Sequence, residues 1–420
     1  MKILKTRWLV LTGFAIVHVA LLWFGWNGIG TPLGDVANAY RPWSDFMLAT
    51  GHLLGLTQSW VYPFPNLIFV VGPALIPGIN YEGNWFVMAI AINFAVMFTL
   101  LYWGTTKASG DQKTLRVGAG WVWTFALLLI GPVSISRLDN ISIALAIIGV
   151  LAWLQVKPTL AAVWFAIATW IKVWPFALVV ALVLAVKNRL RVLLYGVGVG
   201  VALLVLGLAL GTFENVLGFV FEQQDRGIQI ESPWAAWWLW LGVAGVPNYG
   251  RYYDMGLQTF QVSGGQEVEL VIAQLLGPAM YVAVAITFVL GWLATGGTKA
   301  AQTLLGDATR AQIFAWTALT AVLDLIVFNK VGSPQYYGWL IVPAVIGVLA
   351  RVPGWSRVLT WLGLLWGLTG LVYPVFYDQI LASSAAAIAV LTLRNLVAIA
   401  LLVLANVQLT SLAKSGLRRN

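Results

Sequence analysis

Cysteine is absent from the 420 residues, and histidine occurs only twice. Without cysteine there can be no disulfide, no thiolate metal site and no cysteine nucleophile. The two histidines, His18 and His52, are too few for a histidine-based metal centre, so no metal or cofactor is expected. His18 lies in a long apolar run, where an interhelical hydrogen bond is the expected role. Charge is scarce as well: 9% of residues are Asp, Glu, Lys or Arg, against about a quarter in an ordinary soluble domain. What fills the chain instead is apolar surface, 60% hydrophobic residues with a mean hydropathy of +0.86. Many runs reach the ~20 residues with which a helix crosses ~30 Å of hydrocarbon. The alternating segments of about ten residues that mark a membrane β-barrel are missing. The composition predicts an all-α polytopic membrane protein, one domain over residues 1–420.

Apolar runs place candidate spans at roughly 8–26, 62–79, 84–104, 117–135, 140–156, 159–186, 192–212, 269–294, 309–328, 336–350, 355–374 and 385–406. Lys2, Lys5 and Arg7 precede the first, which predicts a cytoplasmic N-terminus and a retained anchor. Alternating the loops from there collects Lys107, Lys113, Arg116, Lys157, Lys187, Arg189, Arg191, Lys299, Arg310, Arg351, Arg357 and Lys414 on the inner side. Most of the 15 acids fall on the other, among them Asp35, Asp45, Glu82, Asp139, Glu214, Glu222, Asp225, Glu231 and Glu267. This is the positive-inside pattern, and it accounts for the net charge of +9 without nucleic acid. It requires 48–79 to cross an even number of times or re-enter, and 159–186 to go in and come back, with the break at Trp174-Pro175. The expectation is 11–13 helices, both termini cytoplasmic, in the plasma membrane. Two long polar loops, 27–61 and 213–268, then lie outside. Their tryptophans (Trp43, Trp60, Trp234, Trp237, Trp238 and Trp240) suit the headgroup layer on short interfacial helices.

A charge held at membrane depth is costly and is usually paired or functional, so the few basic residues on the outer side matter most. Asp35, in "GDVANAYRPW", reads either as a helix N-cap or as a general base beside apolar surface. Asp45 is expected to be solvated or paired with Arg41. In "DRGIQIESPW", Arg226 could grip a phosphate with its planar fork, while Gln229 and Glu231 could bind sugar hydroxyls. The same loop also reads as an ordinary polar surface with an Arg–Glu pair. Lys330, in "FNKVGSPQYYGWL", either snorkels to the interface or meets an anionic ligand. Lys172, in "IATWIKVWPF", marks an internal ion pair or a phosphate contact. Arg137 and Asp139, in "SRLDN", are expected to pair with each other, and Arg394 with Asp324. A cationic, carboxylate-bearing cavity opening at a lipid surface suits a substrate with an anionic head and a lipid tail. In such a reaction a carboxylate deprotonates an acceptor hydroxyl and a cation stabilises the departing phosphate. Direct displacement would invert the anomeric centre, by the opposite-face logic of inverting glycosidases.

In order along the chain, Asp35, "VYPFP" 61–65, "IKVWP" 171–175, "DRGIQIES" 225–232 and "NKVGSPQY" 329–336 resemble the GT-C membrane glycosyltransferases. Within these they resemble glycosyltransferase family 87, the polyprenyl-phosphate-mannose-dependent mannosyltransferases of actinobacteria. The pattern is interrupted at "SRLDN", 136–140, where a Gly-Gln pair is expected. The resemblance implies a GT-C fold with an outward active site, and a polyprenyl-phosphate-mannose donor. It further implies a mannosylated glycolipid acceptor of phosphatidylinositol mannoside or lipomannan type, with an α-1,2 linkage. By position, Asp35 becomes the catalytic base, and Arg226, Lys330 and Lys172 the donor phosphate contacts. Tyr40, Gln229, Glu231, Ser232, Ser333, Gln335 and Tyr336 become sugar or lipid-head contacts. Two other readings remain open: an arabinofuranosyltransferase or other lipid-phosphate-sugar transferase on the same scaffold, and a lipid-linked sugar flippase. A flippase calls for polar residues along the whole transmembrane path, and the inner halves of the spans are apolar.

Overall fold

The computed structural model describes residues 2–104, 109–221, 226–256, 259–265, 268–298 and 302–419, with side chains from Thr6 onward. Of the charged positions assigned above, Lys107, Glu222, Asp225, Glu267 and Lys299 lie outside these residues, as do the side chains of Lys2 and Lys5.

The chain is a multi-pass helical bundle. Among the described residues, eight helices are long and apolar enough to cross a membrane. Five shorter apolar segments are built in among them: Phe64–Leu75, Leu138–Leu154, Pro158–Thr169, Phe176–Ala185 and Pro334–Leu349. In chain order the first elements are α1 (Lys2–Asn27), α2 (Arg41–Thr50), α3 (Leu67–Val71), α4 (Tyr81–Tyr102), α5 (Gly110–Ile130), α6 (Leu138–Leu154), α7 (Pro158–Thr169), α8 (Phe176–Ala185) and α9 (Arg189–Leu210). The later long helices are Val268–Ala294, Asp307–Val327, Trp355–Gly370 and Ala385–Leu417. His18, inside α1, donates from Nδ1 to the Phe14 carbonyl and accepts at Nε2 from Asn93 Nδ2 of α4 at 3.1 Å, the interhelical bond its apolar setting requires.

Charge divides the bundle into two ends. At one, Arg7 lies over the ring of Tyr102, Arg116 donates to the Leu100 carbonyl and Lys157 faces Trp103. Arg351 pairs with Asp111 there, and Lys187 with Asp307. At the other end stand Asp35, Arg137, Asp139 and Lys172. The segment 48–79 stays at the Asp35 end. Asn66 donates to the Ile171 carbonyl, Tyr81 to Val70 and Asn84 to Pro73, so α3 lies beside the start of α4 without crossing.

The half-crossing of 159–186 has a plain geometric cause. At 1.5 Å per residue, α7 and α8 extend only about 18 Å and 15 Å, less than the hydrocarbon thickness. Thr169 ends α7 and the chain turns through 170–175 before Phe176 starts α8. Trp174, at the turn, donates to Ser142 Oγ one turn into α6 at 2.9 Å. The turn therefore lies inside the bundle, against the start of α6.

The loop 213–268 differs from its expectation of interfacial helices alone. It contains short turns at Phe213–Val216 and Gly218–Phe221 and a helix at Ala236–Val243. It also holds an antiparallel hairpin of β1 (Gly250–Asp254) and β2 (Thr259–Ser263). The Tyr, Phe, Thr and Val of the two strands suit a pleated surface. Trp237 is largely exposed, as a headgroup-layer ring should be, but Trp60 and Trp238 are buried. Trp60 packs edge-on against Trp43 and Tyr62, and Trp238 donates to the Gly264 carbonyl.

Candidate active site

The loop after α1 is pinned from two sides. Ser136 Oγ donates to the Pro32 carbonyl at 2.9 Å, and Tyr373 Oη donates to Thr31 at 3.2 Å. Gly30 makes the turn: its φ of +78° suits glycine, and a Cβ there would stand 2.8 Å from Pro374. The result sets Asp35 against Arg137, Oδ2 to Nε 2.8 Å apart. The N-cap reading of Asp35 fails, because its backbone is helical and its side chain makes no capping hydrogen bond. Nor is apolar surface its neighbour, as the general-base argument assumed; the carboxylate faces a guanidinium and keeps 42% of its side chain exposed.

Arg137 and Asp139 do not pair with each other. Asp139, at the start of α6, meets Lys172 Nζ at 3.7 Å and accepts from Trp339 Nε1 at 2.7 Å. Residues two apart at a helix start point in different directions, so each charge finds a partner on another element. The Lys172 ammonium also lies 4.4 Å from the Tyr62 ring and 6.0 Å from that of Tyr336. Asp139 and the two rings compensate the buried ammonium for the water it has given up. At Arg137 burial opposes the charge, and Asp35 outweighs it and raises the pKa above the usual arginine value.

The two motifs 226–232 and 329–336 form one seam. Gln229 N donates to the Lys330 carbonyl at 2.9 Å, Ser232 Oγ to Asn329 at 2.9 Å and Ser333 Oγ to Gln229 Oε1 at 3.2 Å. Gly332 permits this approach, since a Cβ would stand 2.3 Å from the Glu231 and Ser232 backbone. Arg394 closes the seam from the last helix. It donates to the Glu231 carbonyl and to Asn395 Oδ1, and lies over Tyr337. The expected partner Asp324 instead accepts from Thr287 at 2.6 Å. The Glu231 side chain is buried, with Oε2 lacking a hydrogen-bond partner. Burial raises its pKa to about 7, against the pull of its backbone hydrogen bond and of Arg394.

The two ion pairs and the seam adjoin. Arg226 acts electrostatically on both Glu231 and Tyr336, and Tyr373 bridges by bonding Arg137 while packing edge-on against Tyr377, which bonds Glu231. Gln335 is half-buried on the same stretch as Tyr336, which stacks on Trp339 at 4.2 Å. Two expected ligand contacts are spent on structure. Tyr40 is fully buried, its ring against Trp85 and its hydroxyl accepting from Leu138 N. Ser232 is fully buried in the seam. Tyr62, Trp174, Trp339, Tyr373 and Tyr377 were missed by sequence reasoning. Tyr62 and Trp174 lie inside the "VYPFP" and "IKVWP" motifs, and a membrane-depth lysine calls for such rings. Among the described residues no three His, Cys, Asp or Glu side chains converge as metal ligands would.

The arrangement offers one half-exposed carboxylate beside two buried cations and polar groups, which suits attack by a hydroxyl next to a bound anion. Residues 60–247 match the family model of glycosyltransferase family 87. No curated protein and no solved structure matches the chain. The matched stretch contains Tyr62, Arg137, Asp139, Lys172 and the 226–232 loop, whereas Asp35 and Lys330 lie outside it. Over that stretch, less than half of the chain, the protein is similar to glycosyltransferase family 87.

Proposed function

We propose that the chain transfers mannose from polyprenyl phosphate to a hydroxyl of a mannosylated glycolipid of phosphatidylinositol mannoside or lipomannan type, forming an α-1,2 linkage. The supporting observation is the pair of ion pairs, Asp35–Arg137 and Lys172–Asp139, side by side next to the turn between α7 and α8, helices too short to span. Asp35 is the base. Of the two acids, Asp139 is 3% exposed and committed to Lys172 and Trp339, while Asp35 is 42% exposed. Asp35 accepts the acceptor's hydroxyl proton, the oxygen attacks the anomeric carbon, and the bond from that carbon to the phosphate oxygen breaks. Its electron pair leaves with the polyprenyl phosphate, whose charge Lys172, Arg226 and Lys330 balance. Gln229, Glu231, Ser333, Gln335 and Tyr336 shape the sugar side. Arg137 orients the base.

A lipid chain has a path beside the seam. A mostly apolar lateral groove of about 810 Å³ starts at Trp234, Val327 and Phe328 and follows the last helix toward Lys414. The Asp35 end faces outward in this reading, because the basic end is held on the cytoplasmic side. Purified protein is to be given radiolabelled polyprenyl phosphate mannose and a glycolipid acceptor. Asp35→Asn should reduce transfer by about a hundred- to ten-thousand-fold while donor still binds and the protein stays folded. Undiminished transfer would remove Asp35 as the base. Faster transfer from polyprenyl phosphate arabinose would reassign the donor.

A further inference from the structure

The other large cavity lies at the basic end, a bundle's length from Asp35. It measures about 820 Å³ and lies where α8 turns into α9 beside residues 302–310. Lys187, Arg189, Arg191 and Arg310 all line it. The acid paired there is Asp307, 3.9 Å from Lys187 Nζ and almost fully exposed. Arg189 and Arg310 are close enough to repel one another. Arg310 spends its guanidinium on the carbonyls of Leu305, Ala185 and Gln302. Arg189 donates one nitrogen to Leu184, but its Nε is buried with no hydrogen-bond partner.

The start of α9 adds to the same field. It has no side-chain cap and no acid in its first turn, so its free N–H groups and positive dipole end point where the cations already gather. Sorting of basic residues during insertion explains why they are at this end. It does not explain why four converge on one concavity with a buried donor left over. Below them the wall turns apolar. Leu190 and Leu194 are 68% and 59% exposed, and most of the α9 surface faces outward.

We propose that this cavity binds an anionic membrane phospholipid, its phosphate among Lys187, Arg189 and Arg191 and its acyl chains along Leu190, Leu194 and Tyr195. Cations above an outward apolar helix face fit a lipid and leave half of a soluble anion's surroundings unused.

The full-length protein, delipidated in detergent, is to be offered equal phosphatidylglycerol and phosphatidylcholine, with retained lipid counted by native mass spectrometry. Phosphatidylglycerol should be retained preferentially. The preference should fall about ten- to thirty-fold in Lys187→Gln/Arg191→Gln, at about one decade or less per cation removed. Both side chains are exposed, so this variant keeps the fold; Arg189→Gln serves as the second, deeper variant. Equal retention of the two lipids, or an unchanged preference in both variants, overturns the proposal. So does displacement of the bound lipid by inorganic phosphate at equal concentration, which would make the site one for a soluble anion.

Discussion

At the basic end, Arg351 meets Asp111 at 3.1 Å with both side chains more than half exposed. At the Asp35 end, Lys172 and Asp139 stand 3.7 Å apart with only 15% and 3% exposure. The first pair is solvated and screened, and such pairs contribute about 0–1 kcal/mol. The second has given up water, so each charge depends on its partner. A chain with so little charge has thus given up water for one pair at the Asp35 end and kept the pair at the basic end solvated.

Breaking the buried pair should have the largest effect on stability. Asp139→Ala strands Lys172 and removes the acceptor of Trp339, which should cost about 3–5 kcal/mol, read as a fall in unfolding midpoint in detergent. Asp139→Asn keeps an acceptor for Trp339 and should cost less. Next comes the seam: Gly332→Ala pushes a methyl into the Glu231 backbone and should cost about 1–3 kcal/mol, with a raised KM for the donor. The third test sharpens the role of burial. Glu231, kept neutral to about 7, favours the fold below the ordinary carboxylate range, and that contribution is lost as pH rises through about 7. Wild-type unfolding midpoints should therefore decline over that window, and those of Glu231→Gln should decline less. Smallest of all, Arg351→Gln at the solvated end should shift stability by about 1 kcal/mol or less, seen as a nearly unchanged midpoint.

The division into two ends was readable from the sequence, because loop charge and apolar length are local properties that survive folding unchanged. So was the half-crossing at Trp174-Pro175. Pairing was not readable. Adjacent charges in "SRLDN" invite a local pair, yet Arg137 reaches Asp35 and Asp139 reaches Lys172 because a helix start sends neighbouring side chains apart. Arg394 also passed over an acid, taking the Glu231 carbonyl while Asp324 accepts from Thr287. The stretches 226–232 and 329–336 could each be marked as polar loops in apolar surroundings. Their meeting depends on Gly332, whose purpose appears only when the opposing backbone is in place. The preference for Asp35 over Asp139 as the base rests on exposure, 42% against 3%, a quantity no single sequence contains.

The turn at 170–175 has a second consequence. Trp174 and Trp339 lie stacked with rings 10° from parallel, and Tyr336 continues the stack. Beside them α7 and α8 supply much less than a full membrane thickness of apolar chain. The tryptophan nitrogens, tied to Ser142 and Asp139, fix both rings, so close-packed aromatic surface stands where the apolar chain is shortest.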